Sequence, residues 1–160
     1  MPNKDWRFSD GSTDCSMRSV GVLVRDSKIL AQREKDNNEY ALPGGGLATG
    51  ETGSDTLIRE FKEESGADII CHRLIWFEEN FFKWNGRDQH NICLYYLVSL
   101  KNENDIPDIG EFVPFKDNPN VGFEWIALDQ LDKVTIYPQY LPEKIHNIAD
   151  GVEHFVRRYE

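Results

Sequence analysis

Three glutamates, Glu60, Glu63 and Glu64, fall within five residues, with Arg59 directly before them and Glu51 further upstream. At about 100° per residue, a helix gathers the three side chains into an arc of roughly 100°. Carboxylate oxygens so gathered are ligands for a hard divalent cation such as Mg²⁺, and Glu60 and Glu64, one turn apart, are the leading pair with Glu63 beside them. Without a cation the cluster is unfavourable. Like charges at i,i+3 and i,i+4 repel, and negative charge near a helix C-terminus opposes the macrodipole. A bound cation reverses both signs. The competing reading is a solvated acidic face, common in acidic proteins, and the glutamates alone do not decide between the two.

The elements that must position these residues are also legible. A helix is predicted from about Thr52 to Ser65, capped by Thr52 or Ser54, with Asp55 in the first turn and Gly66 ending it. Leu57, Ile58 and Phe61 form the apolar stripe expected to face a core. Before the helix runs Leu42-Pro43-Gly44-Gly45-Gly46, then Gly50-Glu51. Consecutive glycines let backbone amides and carbonyls approach a ligand closely.

Gly45, Glu51, Arg59, Glu60, Glu63, Glu64 and Gly66 follow one spacing: glycine, five residues, glutamate, seven residues, then Arg-Glu-apolar-any-Glu-Glu-any-Gly-apolar. This segment resembles the Nudix box of the Nudix hydrolase (MutT-like) family, and fixed spacing across residues 45–67 is far more specific than a lone glycine motif. Phe61 and Ala67 stand where the family usually has aliphatic residues, a departure that bears on packing. The resemblance extends softly from about Met17 to Pro142. It implies an α/β fold, a Nudix-type α/β/α sandwich with a mixed β-sheet, and Mg²⁺-dependent hydrolysis of a diphosphate linkage, with Mn²⁺ as a substitute. It also implies that a backbone carbonyl near Gly44 or Gly45 completes the ligands Glu60, Glu63 and Glu64. Glu51 then supports them or binds another ion. Arg59 is expected to hold carboxylates in place, since a guanidinium can pair two of them. Gly44, Gly46 and Glu111 are expected on the substrate side. In some family members the general base is a glutamate of the box, which makes Glu60 or Glu63 the candidate. In others it lies on a distant loop, which points to Glu111 or Glu124.

Composition narrows the class. The 160 residues, 39% hydrophobic and 12% aromatic, suffice for a folded core, and residues 1–160 are expected to form a single domain with a polar N-terminal extension over 1–14. Trp6 and Phe8 in that extension offer a slight signal for a leading strand. No apolar run approaches the ~20 residues of a membrane span, and Met1–Asp14 has no signal-peptide character, so a cytoplasmic protein is expected. A net charge of −10 argues against a nucleic-acid polymer as partner but not against a nucleotide bound through cations. Cys15, Cys71 and Cys93 read as free buried thiols, and His72, His90, His146 and His154 lack ligand spacing. His90, between a polar turn and an apolar strand, can face a pocket. Homodimers are common among small domains, although no residue demonstrates one here.

The predicted order is a strand over Met17–Val24, a turn at Arg25-Asp26-Ser27, a returning strand over Lys28–Gln32, and the box helix. Two β-rich runs follow, Ile69–Phe82 and Asn91–Leu100, separated by a polar turn over Lys83–Gln89. Lys101–Asn120 reads as a long loop. After it come a strand over Phe123–Ala127, a helical turn at Leu128–Leu131, and a C-terminal helix over Pro142–Asp150, with Val152–Arg158 ambiguous. The aromatic run Trp76–Trp84 favours core packing over base stacking. The family's ADP-ribose proline, expected near Phe82 and Lys83, is absent, as are its dinucleoside-polyphosphate tyrosine and its NADH and coenzyme A patterns. Three functions remain open. The leading one converts a nucleoside triphosphate, oxidised or not, to monophosphate plus pyrophosphate. The second acts on ADP-ribose or another nucleotide sugar. The third is a Nudix-like nucleotide-binding regulatory domain without turnover.

Overall fold

Residues 28–34 alternate in direction: Ile29 and Ala31 enter one apolar cluster, while Leu30 enters another. A strand buried on both faces needs a covering layer on each side. The computed structural model, which describes residues 4–159, supplies both.

The strands are β1 (Arg7–Ser9), β2 (Thr13–Val22), β3 (Val24–Arg25), β4 (Lys28–Glu34), β5 (Glu39–Ala41), β6 (Gly44–Gly46), β7 (Ile69–Trp84), β8 (Arg87–Leu100), β9 (Val113–Pro114), β10 (Val121–Ala127), β11 (Thr135–Tyr137) and β12 (Glu153–Arg158). Helix α1 spans Gly53–Ser65 and α2 spans Leu141–Lys144, with a 3₁₀ turn over Leu128–Lys133. One mixed sheet has the order β1-β2-β8-β7-β12, with β6 on the edge of β2; the other has β11-β5-β4-β10-β9, with β3 on β4. The fold class is therefore α/β, as expected. Leu57 and Phe61 of α1 pack with Leu30, Val98 and Phe123 on one side. Leu131 of the 3₁₀ turn and Leu141 of α2 pack with Val22, Ile75, Trp76 and Tyr95 on the other. The second helical layer is thin.

Helix α1 ends where its sequence signals place it. The Thr52 hydroxyl accepts from the Asp55 amide, the Asp55 carboxylate accepts from the Thr52 amide, and Gly66 closes the helix at φ 76°. The stripe differs by one residue. Leu57 and Phe61 are buried, whereas Ile58 is 44% exposed, because the inward face continues through Thr56 and Glu64. Glu64 thus lies on the core side of the helix.

Other expectations are corrected. The leading strand signalled at Trp6 and Phe8 forms, so part of the 1–14 segment joins the sheet: β1 pairs with residues 14–16 of β2, which begins at Thr13. Asp10 makes this possible by accepting the Ser12 and Thr13 amides in the intervening turn. The polar turn over 83–89 shortens to Asn85-Gly86, both at positive φ, between strands that pair through Trp84 and Arg87. The C-terminal helix shrinks to Leu141–Lys144, and Glu153–Arg158 runs as a strand parallel to β7. Packing overrides helix propensity there. Phe155 stacks on Tyr140 with ring centroids 4.0 Å apart and meets Trp76 edge-on. Trp76 is fully buried, as core packing requires, but Trp84 is 58% exposed. Among the three free cysteines only Cys93 is fully buried; Cys15 and Cys71 are partly exposed.

Candidate active site

Strand β6 is nothing but Gly44-Gly45-Gly46, laid along Val20, Ser19 and Arg18 of β2. A Cβ at Gly44 would overlap the Ser19 carbonyl, and one at Gly45 would overlap the Glu60 side chain. Gly44 therefore lets β6 lie close on β2, and Gly45 lets α1 press Glu60 against β6.

Arg59 occupies the centre of the cluster. Its Nε and Nη2 donate to the two oxygens of Glu51 at 2.8 and 3.1 Å. Its Nη1 donates to Glu60 Oε1 at 2.8 Å and to Glu63 Oε2 at 3.4 Å, and its Nη2 reaches the Gly46 carbonyl at 3.5 Å. The Thr56 hydroxyl also donates to Glu51 Oε2 at 2.8 Å. The Arg59 guanidinium holds the Glu51 carboxyl below its ordinary value, and the glutamates raise the pKa of Arg59 in turn. One guanidinium thus ties three glutamates and the glycine strand together.

Glu64 stands apart from that network. It is 8% exposed, and its Oε2 is buried without a hydrogen-bond partner. Burial, followed by the neighbouring Glu60 carboxylate and the charge of Asp117, pushes its pKa up to about 9, against the opposing charge of Arg18. Asp117 comes from the 101–120 loop, whose Lys116 amide donates to the Glu64 carbonyl at 2.7 Å. Neither Arg18 nor Asp117 was marked by the sequence. Both arrive through contacts distant in the chain, and only the charged character of the loop hinted at its use.

Glu124, on β10, pairs with Arg33 at 2.6 Å and accepts from the Tyr40 hydroxyl at 2.9 Å. Glu111 is exposed and makes no ion pair or side-chain hydrogen bond among the described residues. His90 stacks on Phe81, with ring centroids 4.3 Å apart.

Among the described residues no three His, Cys, Asp or Glu side chains are drawn together as a ready metal shell; Arg59 holds the oxygens of Glu51, Glu60 and Glu63 instead. The donor set nevertheless fits a hard cation. It is all oxygen, it includes a buried carboxylate oxygen with no partner, and Gly45 leaves it room beside the strand. A cleft of about 600 Å³ lies between the two sheets, lined by residues of β2, β4, β5, β7 and β8. Arg18 belongs to its wall and also bears on Glu64, so cleft and carboxylates are neighbours.

The chain is similar to known proteins. The family model of the NUDIX domain matches residues 16–145. An RNA pyrophosphohydrolase from Nitratiruptor sp. is 32% identical over 108 residues, covering 56% of this chain and 67% of that one. An ADP-ribose pyrophosphatase from Methanocaldococcus jannaschii is 43% identical over 49 residues, 29% of each chain. The Bacillus subtilis protein YjhB is 38% identical over 70 residues, 44% of this chain, and the match spans only 34% of its length. A MutT protein from Bacillus halodurans shares the fold, with a TM-score of 0.61, 14% identity and 90% of each chain covered. The chain belongs to the NUDIX family. Within that family it is a hydrolase acting on phosphoric anhydrides.

Proposed function

We propose that the protein hydrolyses the diphosphate linkage of a nucleoside diphosphate derivative with the help of Mg²⁺, and that its substrate is a nucleoside triphosphate, oxidised or not, cleaved to monophosphate and pyrophosphate. The observation that carries the reading is the buried Glu64 carboxyl, its Oε2 without a hydrogen-bond partner, beside Glu60 on a helix pressed against bare glycine backbone. A buried carboxyl without a partner is costly unless a ligand completes it.

Glu60, Glu63, Glu64 and the Gly45 carbonyl are the groups that would hold the cation. Bound there, Mg²⁺ would supply charge neutralisation for the phosphates and would make a water more acidic. Arg59 fixes Glu60 and Glu63 through hydrogen bonds, and Glu51 braces Arg59. Gly44 and Gly46 offer backbone to the phosphates. A water then attacks one phosphorus, the bridging P–O bond breaks, and a carboxylate takes the water's proton. Glu63, with its side chain 49% exposed, is the candidate for that base. Glu124 is engaged by Arg33 and Tyr40, which leaves it less free to act as the base.

The second reading is hydrolysis of ADP-ribose or another nucleotide sugar, which the name of the Methanocaldococcus jannaschii relative favours. The Nitratiruptor relative adds 5′-triphosphorylated RNA to the compounds worth testing, although a chain of net charge −10 has little to offer a polynucleotide backbone. One experiment separates them. The protein is incubated with Mg²⁺ and a panel of nucleoside triphosphates, ADP-ribose and triphosphorylated RNA, and the products are resolved by chromatography. Pyrophosphate with nucleoside monophosphate is the expected result. AMP with ribose 5-phosphate would replace it with the second reading, and no turnover of any compound would overturn both.

A further inference from the structure

The sheet of β1, β2, β8, β7 and β12 has one face turned to the cleft and one turned away from it. On the cleft side Arg18, Cys93, Glu78 and Phe155 follow one another across β2, β8, β7 and β12. The residues between them point the other way. There Phe8, Cys15, His90, Phe81 and Arg158 form one row across the five strands. Met17, Ile92, Glu79 and Val156 form the next row, and Leu94, Phe77 and His154 form a third.

Helix α1 covers this outer face only beyond the third row, where the Ser19 hydroxyl donates to the Gly53 carbonyl at 2.7 Å and Phe61 lies against Gly21. Met17, Ile92, Leu94, Phe77 and Phe81 enter neither apolar cluster of the interior. Phe8 is 65% exposed and Val156 is 51% exposed. With strands about 4.8 Å apart and rows about 6.7 Å apart, the three rows span about 24 by 20 Å, roughly 500 Å² in plan. That is the greater part of the about 800 Å² that each partner brings to a standard interface, and monomers rarely leave so large an apolar area open.

We propose that this face binds the same face of a second copy of the chain, the two sheets stacked about a two-fold axis as in a β-sandwich. The proposal does not depend on the catalytic reading above.

Charge selects the occupant. The chain has a net charge of −10, so two copies repel over much of their surfaces. The three rows hold a single carboxylate, Glu79, and His154 Nε2 lies 2.7 Å from its Oε2. Their single guanidinium, Arg158, sits over the Phe81 ring at 4.2 Å. Like copies can therefore meet on this face without an excess of negative charge. A polyanion would find one guanidinium there, and a strongly basic partner one carboxylate that is already engaged; a second copy needs neither. Apolar side chains in the middle with charged ones at the β12 border also give the core and rim of a protein–protein contact.

Sedimentation velocity over a concentration series tests the proposal. The parent is expected to move toward twice its 18.5 kDa chain mass as concentration rises. Val156→Glu and Ile92→Glu each set an unpaired carboxylate beside Glu79. Each is expected to raise the dissociation constant of the dimer about tenfold or more. Gln130→Glu adds the same charge on the 3₁₀ turn, away from this face, and is expected to leave the dimer intact. Should Ile92→Glu unfold, Val156→Glu decides, because that side chain is half exposed and its variant is expected to melt with the parent. A parent that stays at the monomer mass throughout overturns the proposal. So does a dimer untouched by both face variants, which puts the contact elsewhere. A dimer dissolved equally by Gln130→Glu overturns it too, since the effect is then one of bulk charge.

Discussion

Under the proposed function, Glu64 is the residue on which the chemistry turns. Its carboxyl is neutral through most of the physiological range because burial and Glu60 push its pKa up to about 9 from an ordinary 4.5. The folded chain therefore keeps a proton there that the unfolded chain releases, and the stability this group contributes is full below about pH 4.5 and lost as pH rises toward 9. A metal-free sample followed by thermal melts should lose melting temperature across that window. Glu64→Gln, an uncharged copy of the same shape, should flatten the decline. The same substitution should lower turnover by orders of magnitude at saturating Mg²⁺, since an amide cannot serve as an anionic ligand; near-normal turnover would refute the ligand role. Arg59→Lys removes the fork that grips Glu51 and Glu60 together. Its expected cost is about 10–100-fold in metal affinity or activity, read from a Mg²⁺ titration of the rate.

The glycine strand and α1 act as a pair at the next scale, and two neighbouring glycines should fail in different ways. Gly44→Ala sets a methyl against the Ser19 carbonyl, which is backbone and cannot yield, so it should lower the melting temperature and the yield of folded protein. Gly45→Ala sets its methyl against the end of the Glu60 side chain, which can swing away. That variant should melt nearly as the parent does and yet lose most of its activity. Circular dichroism and turnover, measured side by side, check both. Much of this pair was readable beforehand. The capping residues Thr52 and Asp55, the terminal Gly66 and the fixed spacing of acids marked the helix at both ends, because those signals are local. Ile58 was misplaced because a short stripe leaves the helix's rotation open until Glu64 is seen to face inward. The loop residue Asp117 and the strand residue Arg18 were invisible for a different reason: nothing local distinguishes them, and only tertiary contact brings them to Glu64.

At the scale of the whole molecule, the C-terminal segment proves to be structural. Residues 153–158 extend the β7 edge of one sheet, and Phe155 closes the aromatic cluster of Trp76 and Tyr140. Its sequence was ambiguous because six residues carry too little periodicity to separate helix from strand, and a parallel partner distant in the chain leaves no local trace. Phe155→Ala should destabilise the fold by somewhat less than the about 3–5 kcal/mol of a fully buried phenylalanine, measured by chemical denaturation. The α/β class, by contrast, followed from strands and helix in sequence order. The division into two sheets with a cleft between them did not, since it depends on which strands pair rather than on where they begin.

The position of Arg59 among three acids has a further consequence. Arg59 is a resident counterion for Glu51, Glu60 and Glu63, so the repulsion among those three is offset before any magnesium arrives, while Glu64 is left outside that pairing. Chelation should silence such a protein without unfolding it, and restoring the ion should revive it at once. Under the proposed function, an incoming magnesium ion must also compete with an arginine for the same oxygens, a competition expected to keep its grip loose.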